Sequence, residues 1–312
     1  MRIVSLVPSA TELVWALGLT DHLVGRSHEC DFPPEVAGVP VVTASLIPPG
    51  VTGAELDALV SRAVREHGSL YTLDRDQISR LRPDLILTQG LCEVCAVAYD
   101  EVKAATADLQ VHVAAPVILS LQPMTLADVL AQLETVASAA GIEARGREVR
   151  RGLEARLEAV RRRSEGLANR PRVFCMEWLQ PPWCAGHWVP EMVELAGGSN
   201  PLGQPGQQSR RLGWDAIRGC DPDVIVLMPC GYDLQQTVAE YRDLRRRGRL
   251  PTWWDELRAV RERRVFAVQA SAYFNRPGPR VVDGVETLAE VLHPDLFGSL
   301  RLRSSWLPVE RG

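Results

Sequence analysis

Two hydrophobic patterns alternate along the chain. Short apolar runs bounded by proline or polar turn residues have the length of buried parallel strands: Ile3-Val4-Ser5-Leu6, Leu85-Ile86-Leu87, Val173-Phe174-Cys175-Met176 and Val224-Ile225-Val226. Longer stretches carry apolar residues at threes and fours, most clearly from Thr125 to Arg163. There Leu126, Val129, Leu130, Leu133 and Val136 lead to Val149, Leu153, Leu157 and Val160. That spacing predicts one or two long helices broken near Gly141. Ser9-Ala10-Thr11-Glu12 has the spacing of a capping box and predicts a helix directly after the first strand. Strand and helix in alternation predict the α/β class.

The pattern is used twice. Arg82-Pro83-Asp84-Leu85-Ile86-Leu87 returns as Asp221-Pro222-Asp223-Val224-Ile225-Val226, and each copy runs into a loop with Gly and Cys. The first strands echo as well, Arg2-Ile3-Val4-Ser5-Leu6 against Arg172-Val173-Phe174-Cys175-Met176. Two similar lobes follow, each a mostly parallel sheet flanked by helices, joined by a long backbone helix. The Pro-Asp strands are expected in two separate sheets. Between first strand and Pro-Asp turn the first half spends 81 positions and the second 50. The surplus predicts an insertion near residues 44–71, with Pro48-Pro49-Gly50 opening a loop and a helix over Ala54 to His67. The boundaries expected are 1–118 for the N-terminal lobe, 119–168 for the inter-lobe helical region, 169–300 for the C-terminal lobe and 301–312 for a polar, frayed tail.

With 312 residues, 46% hydrophobic and 24% charged, the composition is that of a folded chain. A net charge of −4 gives no general attraction to nucleic acid. The basic run from Arg145 to Arg163 is interleaved with Glu148, Glu154 and Glu158 and reads as a solvated helix face. Lys103 is the only lysine, which disfavours P-loop and Schiff-base chemistry. No GxSxG, HExxH, GxxxxGK or GxGxxG signature is present, so no enzyme activity is expected. No apolar run has the roughly 18–20 residues of a membrane span. No basic and apolar leader precedes the first strand, which predicts a cytoplasmic location for the chain as written and a periplasmic or extracellular one for a processed form. Seven cysteines suit reduced thiols better than a disulfide framework.

The residues Arg2-Ile3-Val4-Ser5-Leu6-Val7-Pro8-Ser9-Ala10-Thr11-Glu12, Leu81-Arg82-Pro83-Asp84-Leu85-Ile86, Glu194-Leu195-Ala196-Gly197-Gly198-Ser199-Asn200 and the segment Arg280 to Leu292 together resemble the periplasmic cobalamin- and siderophore-binding proteins of ABC importers. The resemblance runs in order over nearly the whole chain. It is closest to the cobalamin-binding branch, on Val24-Gly25-Arg26-Ser27 with Asp31-Phe32-Pro33-Pro34, and on Pro181-Pro182-Trp183 with Gly186. It implies the class III substrate-binding fold, a small-molecule ligand held between the lobes by loops after the strands, and an ABC permease as partner, with no nucleic acid and no membrane insertion. The implied ligand is cobalamin or another corrinoid, with haem as a further candidate. The chain departs from the family in lacking a leader or lipoprotein cysteine and in carrying an insertion of about 30 residues, departures that leave the implied fold standing and weaken the implied delivery to a permease.

Carried over by position, the ligand loops contain His28, Gln89, Cys92, Trp183, His187, Trp188, Cys230, Tyr232, Tyr273, Asn275 and Arg276. Aromatic surface with a few amides and charges is what a small-molecule pocket needs. His28-x-Cys30 and Cys92-x-x-Cys95 offer four ligands of the kind Zn, Fe or Cu prefers, so a metal ion on His28, Cys30, Cys92 and Cys95 is a second expectation. The same four residues carry the competing reading, a cytoplasmic metal- or cofactor-handling protein or enzyme. Against both stands the packing of short-loop cysteines as small apolar residues.

Overall fold

The computed structural model describes residues 1–48, 51, 58–60, 62–63, 65–66, 70–90, 115–298 and 305–309. The chain divides into two compact units, residues 1–123 with 130–151, and 124–129 with 152–312.

In the first unit the described strands are β1 (Ile3–Ser5), β2 (Leu23–Arg26), β3 (Thr43–Ser45), β4 (Tyr71–Leu73), β5 (Leu85–Gln89) and β6 (Val117–Leu121), with helices α1 (Pro8–Ala16) and α2 (Arg75–Leu81). Four of these strands form a parallel sheet in the order β2-β1-β5-β6. Its central strands are buried on both faces, Ile3, Val4, Leu85, Ile86 and Leu87 being at most 1% exposed, which is why they read as continuous apolar runs. Helix α1 starts at Pro8 without a side-chain cap. The expected capping box of Ser9 and Glu12 does not form, because proline at the first helical position starts the helix early and leaves both residues buried within it. Strands β3 and β4 pair antiparallel, Thr43 with Leu73 and Ser45 with Tyr71. The stretch in which the insertion is expected is thus flanked by two paired strands. Residues 58–60, 62–63 and 65–66 are helical, and the rest of the helix expected over Ala54 to His67 lies outside the described residues.

Helices α3 (Leu126–Ala139) and α4 (Glu143–Ser164) match the periodicity, with Gly141 at φ 69° between them. The expected separate inter-lobe region is divided between the two units: 126–129 and 152–164 belong to the second, 130–139 and 143–151 to the first. The basic face of α4 is laced by ion pairs of Glu158 with Arg161 and Arg162, as its charge pattern implies.

The second unit contains β7 (Val173–Trp178), β8 (Trp183–Cys184), α5 (Val189–Leu195), β9 (Arg210–Arg211), α6 (Trp214–Cys220), β10 (Val224–Leu227), α7 (Leu234–Arg246), β11 (Val265–Val268), α8 (Ala270–Tyr273), α9 (Val281–Leu292) and β12 (Trp306–Pro308). They build a six-stranded sheet in the order β12-β11-β10-β7-β8-β9, with β7, β10 and β11 parallel. The two Pro-Asp strands, β5 and β10, therefore lie in separate sheets, each beside its unit's first strand. Residues 305–309 correct the expected frayed tail. Trp306 to Pro308 run antiparallel to β11, Trp306 meets the Phe266 ring edge-on at 5.4 Å, and Val309 is buried. Trp254 is 2% exposed in the core against Trp214 and Tyr241, and Trp253 packs against the same core.

Candidate functional site

Ligands of open α/β sheets gather beyond the carboxyl ends of the parallel strands. In the second unit those ends carry Glu177 and Trp178 after β7, Cys230, Gly231 and Tyr232 after β10, and α8 with Asn275 and Arg276 after β11. The loops are tied to one another. The backbone N–H of Cys230 donates to the Glu177 carbonyl at 3.3 Å, the Ser271 hydroxyl to the Tyr232 carbonyl at 3.2 Å, and the Asn275 amide to the Met228 carbonyl at 3.4 Å.

An aromatic group stands on this edge. Trp183 on β8 is the cross-strand partner of Trp178, and the Trp178 ring meets Tyr232 edge-on at 5.6 Å. Trp183 is 37% exposed, unusual for so large an apolar side chain, while Tyr232 is 7% exposed. Trp178 was not among the sequence-predicted site residues. The signal for it is the tryptophan that closes an otherwise buried apolar strand just before the Leu179 to Pro182 turn. Tyr273 and Arg276 are half-buried on the loop after β11, and the Arg280 guanidinium lies over the Tyr273 ring at 5.7 Å.

Trp188 and His187 differ although adjacent. Trp188 is 4% exposed and its indole N–H donates to the Phe274 carbonyl at 2.8 Å, so it forms the floor beneath the loop after β11 and offers little open surface. His187 has φ 52°, a left-handed conformation that a non-glycine residue holds only under constraint. The constraint is visible: its N–H donates to the Gln207 carbonyl at 2.5 Å and its carbonyl accepts from Gly206 at 3.0 Å. The ring lies 5.5 Å from that of Trp188 and makes no hydrogen bond among the described residues. Burial holds its pKa below the ordinary imidazole value, favouring the neutral ring. Gly186 is required beside it, since a Cβ there would collide with the Gln207 carbonyl.

In the first unit the carboxyl end of β2 bears His28, Glu29 and Cys30, and that of β5 bears Gln89, which is 7% exposed. His28 is half-buried, with Nδ1 2.7 Å from Thr43 Oγ1 and its ring 5.3 Å from that of Tyr71. Burial lowers its pKa, opposed by the nearby Glu29 and aided to a smaller extent by Arg26. Cys30 is 3% exposed and its sulfur accepts from the Thr11 hydroxyl at 3.0 Å, so the thiol faces the interior. Cys92 and Cys95 lie outside the described residues. Among the described residues no group of three or more His, Cys, Asp and Glu is gathered to hold a metal ion. The Cys230 thiol is exposed. His28 and His187 each keep a ring nitrogen without a hydrogen bond among the described residues, which fits donation to a metal carried by a ligand.

A family model described as periplasmic binding protein matches residues 3–272. An uncharacterized ABC transporter substrate-binding lipoprotein of Bacillus subtilis (strain 168) is 25% identical over 309 residues, covering 95% of this chain and 81% of its own. The crystal structure of a periplasmic vitamin B12 binding protein of Vibrio cholerae superposes with a TM-score of 0.66 at 24% identity, covering 93% of this chain and 96% of that one. A periplasmic heme-binding protein from Roseiflexus sp. RS-1 in apo form gives a TM-score of 0.68 at 22% identity over 94% and 98% of the two chains.

Proposed function

The chain belongs to the periplasmic binding protein family, and we propose that within it the protein binds a corrinoid or a related metal-bearing macrocycle, passes it to an ABC permease and catalyses no reaction. One observation carries the ligand class: the open face of Trp183 beside Trp178 and Tyr232, at the carboxyl end of the second unit's parallel strands. A flat macrocycle buries large apolar faces, and exposed aromatic surface beside a few amides and charges matches that demand. Asn275 and Arg276 would hold its polar edge, with His187, Tyr273 and Cys230 of the same unit around it. The names of the relatives, a vitamin B12 binder, a heme binder and a transporter lipoprotein, support the same class.

Those names also support a place outside the cytoplasmic membrane over the cytoplasmic location read from the sequence, and no described helix is long and apolar enough to cross a membrane. The competing enzyme reading draws no support from the family, and Cys30, one of its thiols, is turned inward. Titration of the purified protein with hydroxocobalamin, ferric haem and a ferric siderophore, followed by absorbance and tryptophan fluorescence, tests the reading. Saturable binding of either of the first two is expected. Binding of the siderophore alone, or of none, overturns it.

A further inference from the structure

We propose that Gln269 is the positioning residue that sets Tyr232 for the ligand, held in place by the strand β12. The inference rests on the macrocycle reading above and concerns the second unit alone.

Three elements meet at this one residue. The Gln269 N–H donates to the Ser305 carbonyl at 2.7 Å, just before β12, and the Gln269 carbonyl accepts the Tyr273 N–H at 3.2 Å, at the end of α8. The side chain reaches the third element, since Oε1 accepts the Leu234 N–H at 3.1 Å. Leu234 is the first residue of α7, so its N–H is one that the helix leaves without an internal partner. The capping residue Asp233 is committed elsewhere, its carboxylate accepting the Gln236 N–H at 2.7 Å while the Gln236 side chain accepts the Asp233 N–H at 2.9 Å. Gln269 satisfies the amide that this reciprocal cap does not reach.

The residue is anchored from behind. Ser305 Oγ and Thr287 Oγ1 lie 3.1 Å apart, both buried. The Thr287 hydroxyl has one hydrogen and gives it to the Asp283 carbonyl at 2.8 Å, so Ser305 is the donor of the pair. Past Ser305, Trp306 to Pro308 pair with Val268 to Phe266 and Trp306 packs on Phe266. This strand lies beyond residues 3–272 matched by the family model.

On the ligand side, Tyr232 comes two positions before Leu234. Its carbonyl accepts the Ser271 hydroxyl of α8 at 3.2 Å, and its ring meets Trp178, the cross-strand partner of Trp183. Binding side chains keep their geometry where the hydrogen bonds of supporting residues lock them. Here the lock runs from Ser305 through Gln269 and Leu234 to Tyr232. Gln269 Nε2 makes no hydrogen bond among the described residues, so the acceptor oxygen alone carries the side chain's role. A glutamate carboxylate at this position would therefore do the same work.

Wild type, Gln269→Leu, Gln269→Glu, Tyr232→Ala and the double variant of Gln269→Leu with Tyr232→Ala are each titrated at pH 7 with hydroxocobalamin and with ferric haem. Gln269→Leu is expected to lower affinity about ten-fold, the worth of one ordinary hydrogen bond, and Gln269→Glu to restore it. Tyr232→Ala is expected to lower affinity as well. In that background Gln269→Leu is expected to cause no further loss, a non-additivity that a general weakening of the fold does not produce. Urea unfolding identifies any misfolded variant, and Gln269→Asn, one methylene short of the Leu234 N–H, replaces Gln269→Leu should the latter be unfolded. A folded Gln269→Leu or Tyr232→Ala that binds as wild type does, a Gln269→Glu as weak as Gln269→Leu, or losses that add in the double variant overturns the inference and leaves the macrocycle reading intact. Wild type that binds neither compound overturns both.

Discussion

The Asp223 carboxylate accepts the backbone N–H of Arg172 at 2.8 Å, fastening the start of β10 to the start of β7. Asp84 does the same for Arg2 at 2.7 Å in the other unit. The residue two before each aspartate, Asp221 or Arg82, is left-handed with φ 41° or 45° and ends a helix of seven residues. The arginine side chains repeat the pattern too, Arg2 bonding the Leu81 carbonyl and Arg172 the Cys220 carbonyl, both at 2.7 Å. The repeat in the sequence is thus a repeat of one hydrogen-bonded corner.

Asp223→Asn is expected to cost about 1–3 kcal/mol in urea unfolding, and Asp84→Asn about 0.5–1.5 kcal/mol. The difference arises because Asp223 is half-buried and also pairs with Arg172 and Arg258 at 3.2 and 2.9 Å, whereas Asp84 is exposed. Equal losses would contradict this. Burial opposes the charge of Asp223, but hydrogen bonds from Arg172 and Arg258 hold its pKa below the usual value. That stability is present above about pH 4 and lost as pH falls through the folded pKa.

Three tryptophans separate binding from folding. Trp183→Ala is expected to weaken hydroxocobalamin or haem binding by one to a few kcal/mol, as for the loss of an aromatic anchor, with the urea midpoint nearly unchanged because the side chain is 37% exposed. Trp178→Ala is expected to weaken binding and stability together, since its ring also supports Tyr232. Trp188→Phe is expected to lose about 1–3 kcal/mol of stability by orphaning the Phe274 carbonyl. An unchanged ligand titration for Trp183→Ala removes that residue from the site.

Gly186→Ala is expected to destabilise the second unit by about 1–3 kcal/mol, the range for overpacking, because the added Cβ meets backbone atoms of Gln207 to Ser209. Native-state hydrogen exchange is expected to rise first at the His187 and Gly206 amides that fasten this corner. Wild-type protection at both would refute the prediction.

Acidification is expected to weaken the fold through His293. Burial lowers its pKa, partly offset by the hydrogen bond to the Gly197 carbonyl at 3.1 Å. The unfolded histidine, near 6.5, takes up its proton first as pH falls, so this stability is present above about pH 6.5 and declines as pH falls through the folded pKa. Urea midpoints from pH 7.5 to 5.5 check it, and His293→Gln is expected to flatten part of the slope. An unchanged slope in the variant assigns the pH dependence to other groups.

What the sequence determined by itself is written in local pattern. The apolar runs of β1, β5, β7 and β10, the threes and fours of α3 and α4 and the Pro-Asp corners are each set by neighbours a few residues apart, so the duplicated α/β design was legible. Local pattern missed where Pro8 started a helix ahead of Ser9, and where residues 305–309 found a strand partner about 40 positions upstream. The site depended on tertiary structure. His28 and Cys30 stand two positions apart, yet one ring meets Thr43 and the other thiol turns to Thr11. His187 and Trp188 are adjacent, yet one ring is free of hydrogen bonds among the described residues and the other is locked to Phe274. Direction in a loop follows from which distant backbone and side chains arrive beside it, and residue type carries no record of that. Trp178 was found only once β8 had folded back to set Trp183 opposite it.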